Sequence, residues 1–215
     1  MTRKTTAQEQ VLRELRTLIG SGQLAPGQQV IQDTLAAQLG VSRVPLREAL
    51  KVLEGEGQVT HLPHRGYFVA DLSVADLVEV YRIRDLLERE ALTSAVPQLT
   101  DDDVTTIEVL AGRVAHAAAR TDVAAVTAAN RDFHFAMFDA SGMPRLVRLI
   151  RTLWDATDAY RGVYMADEAN LEQMNREHQQ MLTALAARNT ADVVRLQAEH
   201  RENAVSAVAK VIQQG

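Results

Sequence analysis

Cysteine is absent from all 215 residues. Its absence removes disulfides, Cys-based zinc sites and thiol catalysis together, and it fits a reducing cytoplasm as the place of work. No apolar run approaches the roughly 20 residues that a bilayer span requires, so no membrane partner is expected. The opening decapeptide MTRKTTAQEQ is polar and has no signal-peptide core. No internal repeat and no low-complexity tract interrupts the chain. What is present is a chain with 47% hydrophobic residues, long enough for two modest domains that each bury a core.

The net charge is −5, which at first argues against a nucleic-acid partner, but its distribution matters more than its sum. Residues 1–70 carry eight Lys/Arg against six Asp/Glu, and the remainder carries 15 against 22. A mildly basic reader attached to an acidic body fits that asymmetry.

The basic part centres on Leu39–Leu53, LGVSRVPLREALKVL. Gly40 supplies a tight turn and Ser42 the N-cap of a helix whose Leu46, Ala49, Leu50 and Leu53 recur at the spacing of a buried face. Arg43, Arg47 and Lys51 fall at i, i+4 and i+8 along another side. Such a helix suits the DNA major groove, where Arg bonds guanine O6 and N7 together. A solvated amphipathic helix would carry the same pattern, so the flanking elements decide. A helix over Thr6–Ser21 and a shorter one over Gln32–Leu39 precede it, giving helix–turn–helix spacing. Two short strands, Gln58–Leu62 and Tyr67–Ala70, follow around the turn Pro63-His64-Arg65-Gly66. Their order makes a winged helix–turn–helix over residues 1–70.

After a linker at 71–74, residues 75–215 read as helix after helix. Ser73 opens the first, which runs to Val96, and Thr100 caps the second, with the acidic run Asp101–Asp103 explained by the positive helix N-terminus. The third begins near Asp122, Pro144 opens a fourth running to Met165, and the last two span Asn170–Arg188 and Ala191–Ile212. The expected fold is therefore mainly α, with an all-α six-helix bundle behind the winged head.

Three of the six histidines share a context in that bundle. His134, His178 and His200 each lie on the apolar stripe of a different helix. A lone buried histidine is more often bonded to a neighbour than to a metal. Three unpaired imidazoles in one interior, however, would cost several kcal/mol by the usual penalty of roughly 1–3 kcal/mol per unsatisfied group, and a divalent ion would satisfy them all. Imidazole suits zinc first and nickel after it. His116 lacks this setting.

The chain resembles two families. Residues 8–70 are similar to the GntR family of bacterial transcriptional regulators, through Pro26-Gly27, LAAQLGVSRVPLREALKVLEGEG (Leu35–Gly57) and the wing HRGYFV (His64–Val69). The helical part resembles the FCD ligand-binding domain of the FadR subfamily, in its VanR-like six-helix branch. The matching pieces are YRIRDLLEREA (Tyr81–Ala91), NRDFHFAMFDASGMPRL (Asn130–Leu146), REHQQMLTALAARN (Arg176–Asn189) and His200.

The resemblance implies operator contacts by Arg43 and Arg47 and by the wing residues His64, Arg65 and Gly66. Thr34 and Ser42 would meet phosphates through their hydroxyls. Some members place an arginine where this chain has Asp33, so one base contact is expected to be lost and phosphate repelled. It also implies a metal, with manganese as a further candidate ion, on Asn130, His134, His178 and His200, the first an amide where many relatives have Asp. Arg84, in the pattern R-x3-E with Glu88, would hold the far end of a carboxylate effector, and an intrahelical Arg84–Glu88 ion pair is the competing role. Trp154, Tyr160 and Tyr164 are candidates to line the pocket or to be ordinary core. Glu177, beside His178, is expected to point away and to be poorly placed as a general base.

The function expected is a cytoplasmic, ligand-responsive regulator and not an enzyme. It would be a homodimer on a palindromic operator, a repressor released by a small organic acid at the metal. A metal-dependent enzyme with a DNA-binding head, and a nucleic-acid-binding structural protein with a structural metal, are the alternatives.

Overall fold

The computed structural model describes residues 6–71 and 73–214. The expected linker at 71–74 includes Leu72, which lies outside the described residues, as do residues 1–5 and Gly215. The described chain divides into two compact units. One comprises the residues up to Asp71 together with Trp154–Ala159, and the other Ser73–Leu153 together with Tyr160 onward.

In the first unit, α1 (Ala7–Gly20) opens on a capping box. The Thr6 hydroxyl accepts from the Glu9 amide at 3.1 Å and the Glu9 carboxylate accepts from the Thr6 amide at 2.8 Å. The two-residue strand β1 (Gln29–Val30), α2 (Gln32–Gln38) and α3 (Arg43–Gly55) follow, then β2 (Val59–Leu62) and β3 (Gly66–Val69). Gly40 takes φ +65 in the turn between α2 and α3, a left-handed conformation that a side chain would strain. One apolar cluster joins Val11, Leu15 and Ile19 of α1 to Leu46, Leu50 and Leu53 of α3 and Val69 of the sheet. The three α3 leucines are fully buried, and truncating any of them to alanine costs about 2–5 kcal/mol. The sheet order is β1-β3-β2, all antiparallel, with Gln29 opposite Phe68 and Thr60 opposite the same residue. The expected two-strand wing therefore has a third strand. Its two residues are too few to leave an alternating pattern in the sequence.

The rest of the chain forms α4 (Val74–Ala95), a 3-10 turn (Val96–Gln98), α5 (Asp101–Ala118), α6 (Val123–Asp139), α7 (Pro144–Ala156), α8 (Asp158–Met165), α9 (Glu168–Ala186) and α10 (Thr190–Gln214), all in the second unit except the end of α7 and the start of α8, which fall within Trp154–Ala159. Three helix starts fall where the sequence puts them. Ser73, Thr100 and Asp122 accept from backbone amides three residues on, and Asp103 closes a full capping box with Thr100. Pro97 belongs to the 3-10 turn that ends α4. Among the described residues none of the helices is long and apolar enough to cross a membrane.

One expectation is corrected. Pro144–Met165 is two helices, so the described residues from 74 onward hold seven α-helices where six were expected, and the count behind the VanR-like branch does not hold. The cause is local. At Thr157 the backbone amide turns back to the Trp154 carbonyl at 3.2 Å, and the side-chain hydroxyl donates to that same oxygen at 3.1 Å. A hydroxyl that competes for a carbonyl in the last turn ends a helix without leaving a glycine or proline as a sign.

Candidate functional site

Two groups of residues stand out, one in each unit. In the first, Ser42 is the N-cap of α3, but its side chain makes no capping hydrogen bond, which leaves the hydroxyl available to a phosphate. The helix buries Leu46, Ala49, Leu50 and Leu53 and exposes Arg43, Val44, Arg47 and Lys51. Arg43, Arg47 and Lys51 line a concavity of about 600 Å³ with Asp33, His61, Arg65 and Gly66. Thr34 is exposed on α2, and His64 at the wing tip; neither is among the residues lining that hollow.

The wing is held in shape by its own chemistry. His64 and Gly66 take φ +62 and +87 through the turn, a conformation open to glycine and costly for most other residues. The Arg65 amide donates to Leu62 at 3.0 Å. The Gln29 side-chain amide, on β1, donates to the Arg65 carbonyl at 2.7 Å, while the Arg65 guanidinium lies over the Phe68 ring at 5.2 Å. Asp33, expected to repel phosphate, is not isolated, because its Oδ1 pairs with Nε of Arg43.

In the second unit, α6 carries His134, α9 His178 and α10 His200, all buried. One ligand atom of each lies within 4.8 Å of the others, and the ring centroids are 5.1–5.2 Å apart. Phe133 walls the cluster, 5.0 Å from His134 and 4.3 Å from His178. Asn130, one turn before His134 on the same buried face, has an amide oxygen with no hydrogen-bond partner, and no protein group bonds either ring nitrogen of His178. His116 is exposed.

Burial, reinforced by the neighbouring imidazoles, holds His134 and His178 well below the ordinary imidazole range. Both rings are therefore neutral near pH 7, the state in which imidazole binds metal. The unfolded chain protonates them below about pH 6.5, so the metal-free protein has its full stability above that pH and loses it as the pH falls. The expected slope is about 1.4 kcal/mol per pH unit for each imidazole. Chemical denaturation between pH 7.5 and pH 5 checks this, and a flat profile would contradict it.

Glu177 points away from His178, as expected, and its carboxylate engages α10. It is buried, and its Oε2 accepts from Nδ1 of His200 at 2.6 Å, while Oε1 accepts from Gln173 at 2.8 Å and Asn203 at 2.6 Å. Burial alone would raise its pKa, but the bond from His200 and the two amides outweigh that and hold it below the usual carboxylate range. A residue adjacent to His178 does point some 100° away from it on the helix; here that direction faces α10. With Nδ1 committed to Glu177, Nε2 is the atom that His200 offers a ligand.

Beside the cluster lies a charge network. Glu88, fully buried, accepts from Nε of Arg84 at 2.9 Å, from Nη1 of Arg201 at 2.6 Å and from Gln197 at 3.0 Å; Arg201 also pairs with Asp85. Burial pushes Glu88 up, yet the two guanidiniums prevail and bring it down to about 2. Arg84 lies over the Tyr81 ring at 4.4 Å. The intrahelical Arg84–Glu88 pair therefore exists, in a larger network that the R-x3-E pattern alone does not reveal. Arg201 and Gln197 were missed; the signal available was that a buried Glu88 needs more than one cation. Tyr160 and Tyr164 are core residues with engaged hydroxyls. Tyr160 bonds Ser73 and, at 2.9 Å, Asp76; Tyr164 donates to the Asn170 carbonyl at 3.2 Å. Trp154 is buried as well.

Three imidazoles and an amide oxygen, buried together and unsatisfied at Asn130 and His178, fit a divalent ion of borderline softness. Asn130, His134, His178 and His200 would hold it, and a bound ion would supply a positive centre for an anionic ligand.

A winged helix–turn–helix followed by an all-helical unit defines a DNA-binding regulator with a separate second domain. Comparison with known families makes that specific. Residues 7–69 match the model of bacterial regulatory proteins of the gntR family, and residues 79–203 match the FCD domain. The HTH-type transcriptional regulator McbR of Escherichia coli K12 is 31% identical over 205 residues, covering 95% of this chain and 89% of its own length. YdhC, an HTH-type regulator of Bacillus subtilis, is 26% identical over 84% of this chain and 81% of its own. Among solved structures, E. coli McbR superposes with a TM-score of 0.86 at 28% identity over 96% of this chain and 98% of its own. A GntR regulator from Rhodococcus gives 0.81 at 25% identity, over 96% and 99%. The chain belongs to the GntR family of bacterial transcriptional regulators and carries an FCD domain. These relatives are regulators, not enzymes.

Proposed function

We propose that this regulator senses a small organic acid through a divalent ion on Asn130, His134, His178 and His200, and that the acid releases it from its operator. The observation that carries the reading is the buried triad, with donor atoms within 4.8 Å and an orphaned His178. Zinc or nickel suits this donor set better than manganese, which prefers carboxylates. Arg84 would hold the acid's far end, and the neighbouring Arg201 makes a second cation available there.

The protein acts in the cytoplasm as a homodimer on a palindromic operator, with the head at 1–70, a hinge at 71–74 and the sensor at 75–215. Two-fold symmetry of the protein is mirrored in the DNA. Nearly complete release requires the acid to favour one state by about 5.5 kcal/mol. Arg43 and Arg47 read bases, and Thr34, Ser42, His64, Arg65 and Gly66 contact the backbone or minor groove. The exposed Val44 beside Arg43 suits a thymine methyl.

A thermal-shift screen of mono-, di- and tricarboxylates, with and without added zinc or nickel, tests the sensor. A true effector at 100 times its Kd adds about 2.7 kcal/mol and does so only with metal; acids that stabilise equally without metal would refute the site. On the DNA side, Arg43→Ala is expected to weaken operator binding by about 1–3 kcal/mol. Equal loss on random-sequence DNA, read in the same gel-shift series, would contradict base reading.

A further inference from the structure

We propose that Asp33 is a specificity-determining residue, whose carboxylate holds the Nε side of Arg43 so that the guanidinium presents its Nη1/Nη2 edge to a single base pair. The inference rests on Arg43 being a base reader, and it begins from the pair itself. Asp33 lies in the first turn of α2 and Arg43 is the first residue of α3. Their side chains meet across the turn that joins the two helices, Asp33 Oδ1 on Arg43 Nε.

The pair is 64% and 68% exposed. Exposed ion pairs contribute little to folding, so its consequence is to be sought in direction and not in stability. A guanidinium has five N–H donors in a rigid planar fork. Guanine engages two of them, through O6 and N7. With Nε facing Asp33, the end-on edge with its two parallel N–H bonds is the one left to the groove. An arginine free to turn could instead donate sideways, to a phosphate or to either of two neighbouring base pairs. Fixing one edge before binding removes those alternatives and lowers the ordering cost of the correct one.

The surroundings favour the same conclusion. Asp33 shares its concavity with Arg43, Arg47, Lys51 and Arg65. Glu54 lines the same hollow from the end of α3, but Asp33 is the carboxylate paired with Arg43. A carboxylate among these cations weakens attraction to phosphate on any sequence, and that sequence-independent attraction is what a specific binder must suppress. Asp33 thus lowers non-specific binding while sharpening one contact, so it acts on the ratio that sets occupancy of a true site.

The experiment uses the full-length protein. An operator is first selected from random double-stranded DNA, and each position is then varied through all four base pairs against the native chain, Arg43→Ala, Asp33→Ala, Asp33→Asn and Asp33→Ala/Arg43→Ala. Arg43→Ala identifies the base pair that Arg43 reads, by erasing preference there. Asp33→Ala and Asp33→Asn are expected to relax that same preference roughly tenfold, the lower end of a bidentate contact's worth. They should leave binding to random DNA equal or tighter, and the double variant should relax nothing further. Asp33 is exposed, so circular dichroism of these variants should match the native chain. Tighter binding to all sequences with the Arg43 preference intact would reduce Asp33 to a repulsive charge and overturn the proposal. Relaxation at a different base pair would overturn it too. If Arg43→Ala erases no preference anywhere, the base-reading role fails first, and that arm distinguishes the two failures.

Discussion

Replacing His178 by leucine is expected to abolish metal binding and, in the same molecule, to make the metal-free protein more stable. The ring is buried and neither nitrogen is bonded by a protein group, so in the absence of an ion the fold carries an unsatisfied polar group worth about 1–3 kcal/mol. Leucine fills a similar volume with no polar atom, which returns that cost. With metal the balance reverses. An ion at 1,000 times its Kd stabilises the native chain by about 4.1 kcal/mol, and the variant gains none of it. Elemental analysis and urea denaturation, each with and without zinc, read both halves. The triple replacement of His134, His178 and His200 should likewise retain no metal, and full retention would exclude this site. A His178→Leu variant less stable without metal than the native chain would mean that the imidazole is satisfied after all.

The second large effect concerns Glu88. Glu88→Ala removes the fully buried carboxylate of a network that also contains the buried Arg84 and Arg201. Breaking a buried ion pair by removing one partner costs about 3–5 kcal/mol, because the remaining charge stays out of water. The expected result is a fall of that size in urea denaturation, with or without metal. A change below 1 kcal/mol would show that the guanidiniums reach solvent or another anion. Acidity acts on the same pair in a defined window. Its folded pKa, about 2, lies below the ordinary 4.5, so the stability it contributes is complete above pH 4.5 and is lost only as the pH falls towards 2. Destabilisation between pH 6.5 and 5 therefore belongs to the histidines and not to Glu88.

These residues differ in how far the sequence discloses them. The recognition helix and its turn are legible because their determinants are local: Gly40, Ser42 and four apolar residues at helical spacing within 15 positions. The histidines are legible for a related reason, since each lies on an apolar stripe that must face inward. Their convergence needs only that the three helices share one interior. What stayed hidden depends on partners distant in the chain. Glu177 looks misdirected until α10 is seen beside it, with His200 at 2.6 Å. Arg201 is one more cation on a long helix until Glu88 is found buried against it. The break at Thr157 turns on which carbonyl a hydroxyl chooses, and the strand β1 exists only because β3 lies next to it. Asp33 is the instructive case. By sequence it is a lost contact and a repulsive charge; in the fold it pairs with the arginine it was expected to hinder.

The short strand has a consequence for signalling. The Gly27 amide donates to Val69 at 3.0 Å, the Val69 amide to Gln28 at 2.9 Å, and the Gln29 side chain to Arg65 at 2.7 Å. The residues that lead into α2 are thus stitched to the wing, though they lie some forty positions before it. Recognition helix and wing form one stiff tool, in which neither part loosens by itself. In the proposed dimer, an effector would then have little to gain by softening a tip. It would act as one sets a pair of dividers, changing the span between two points that stay sharp.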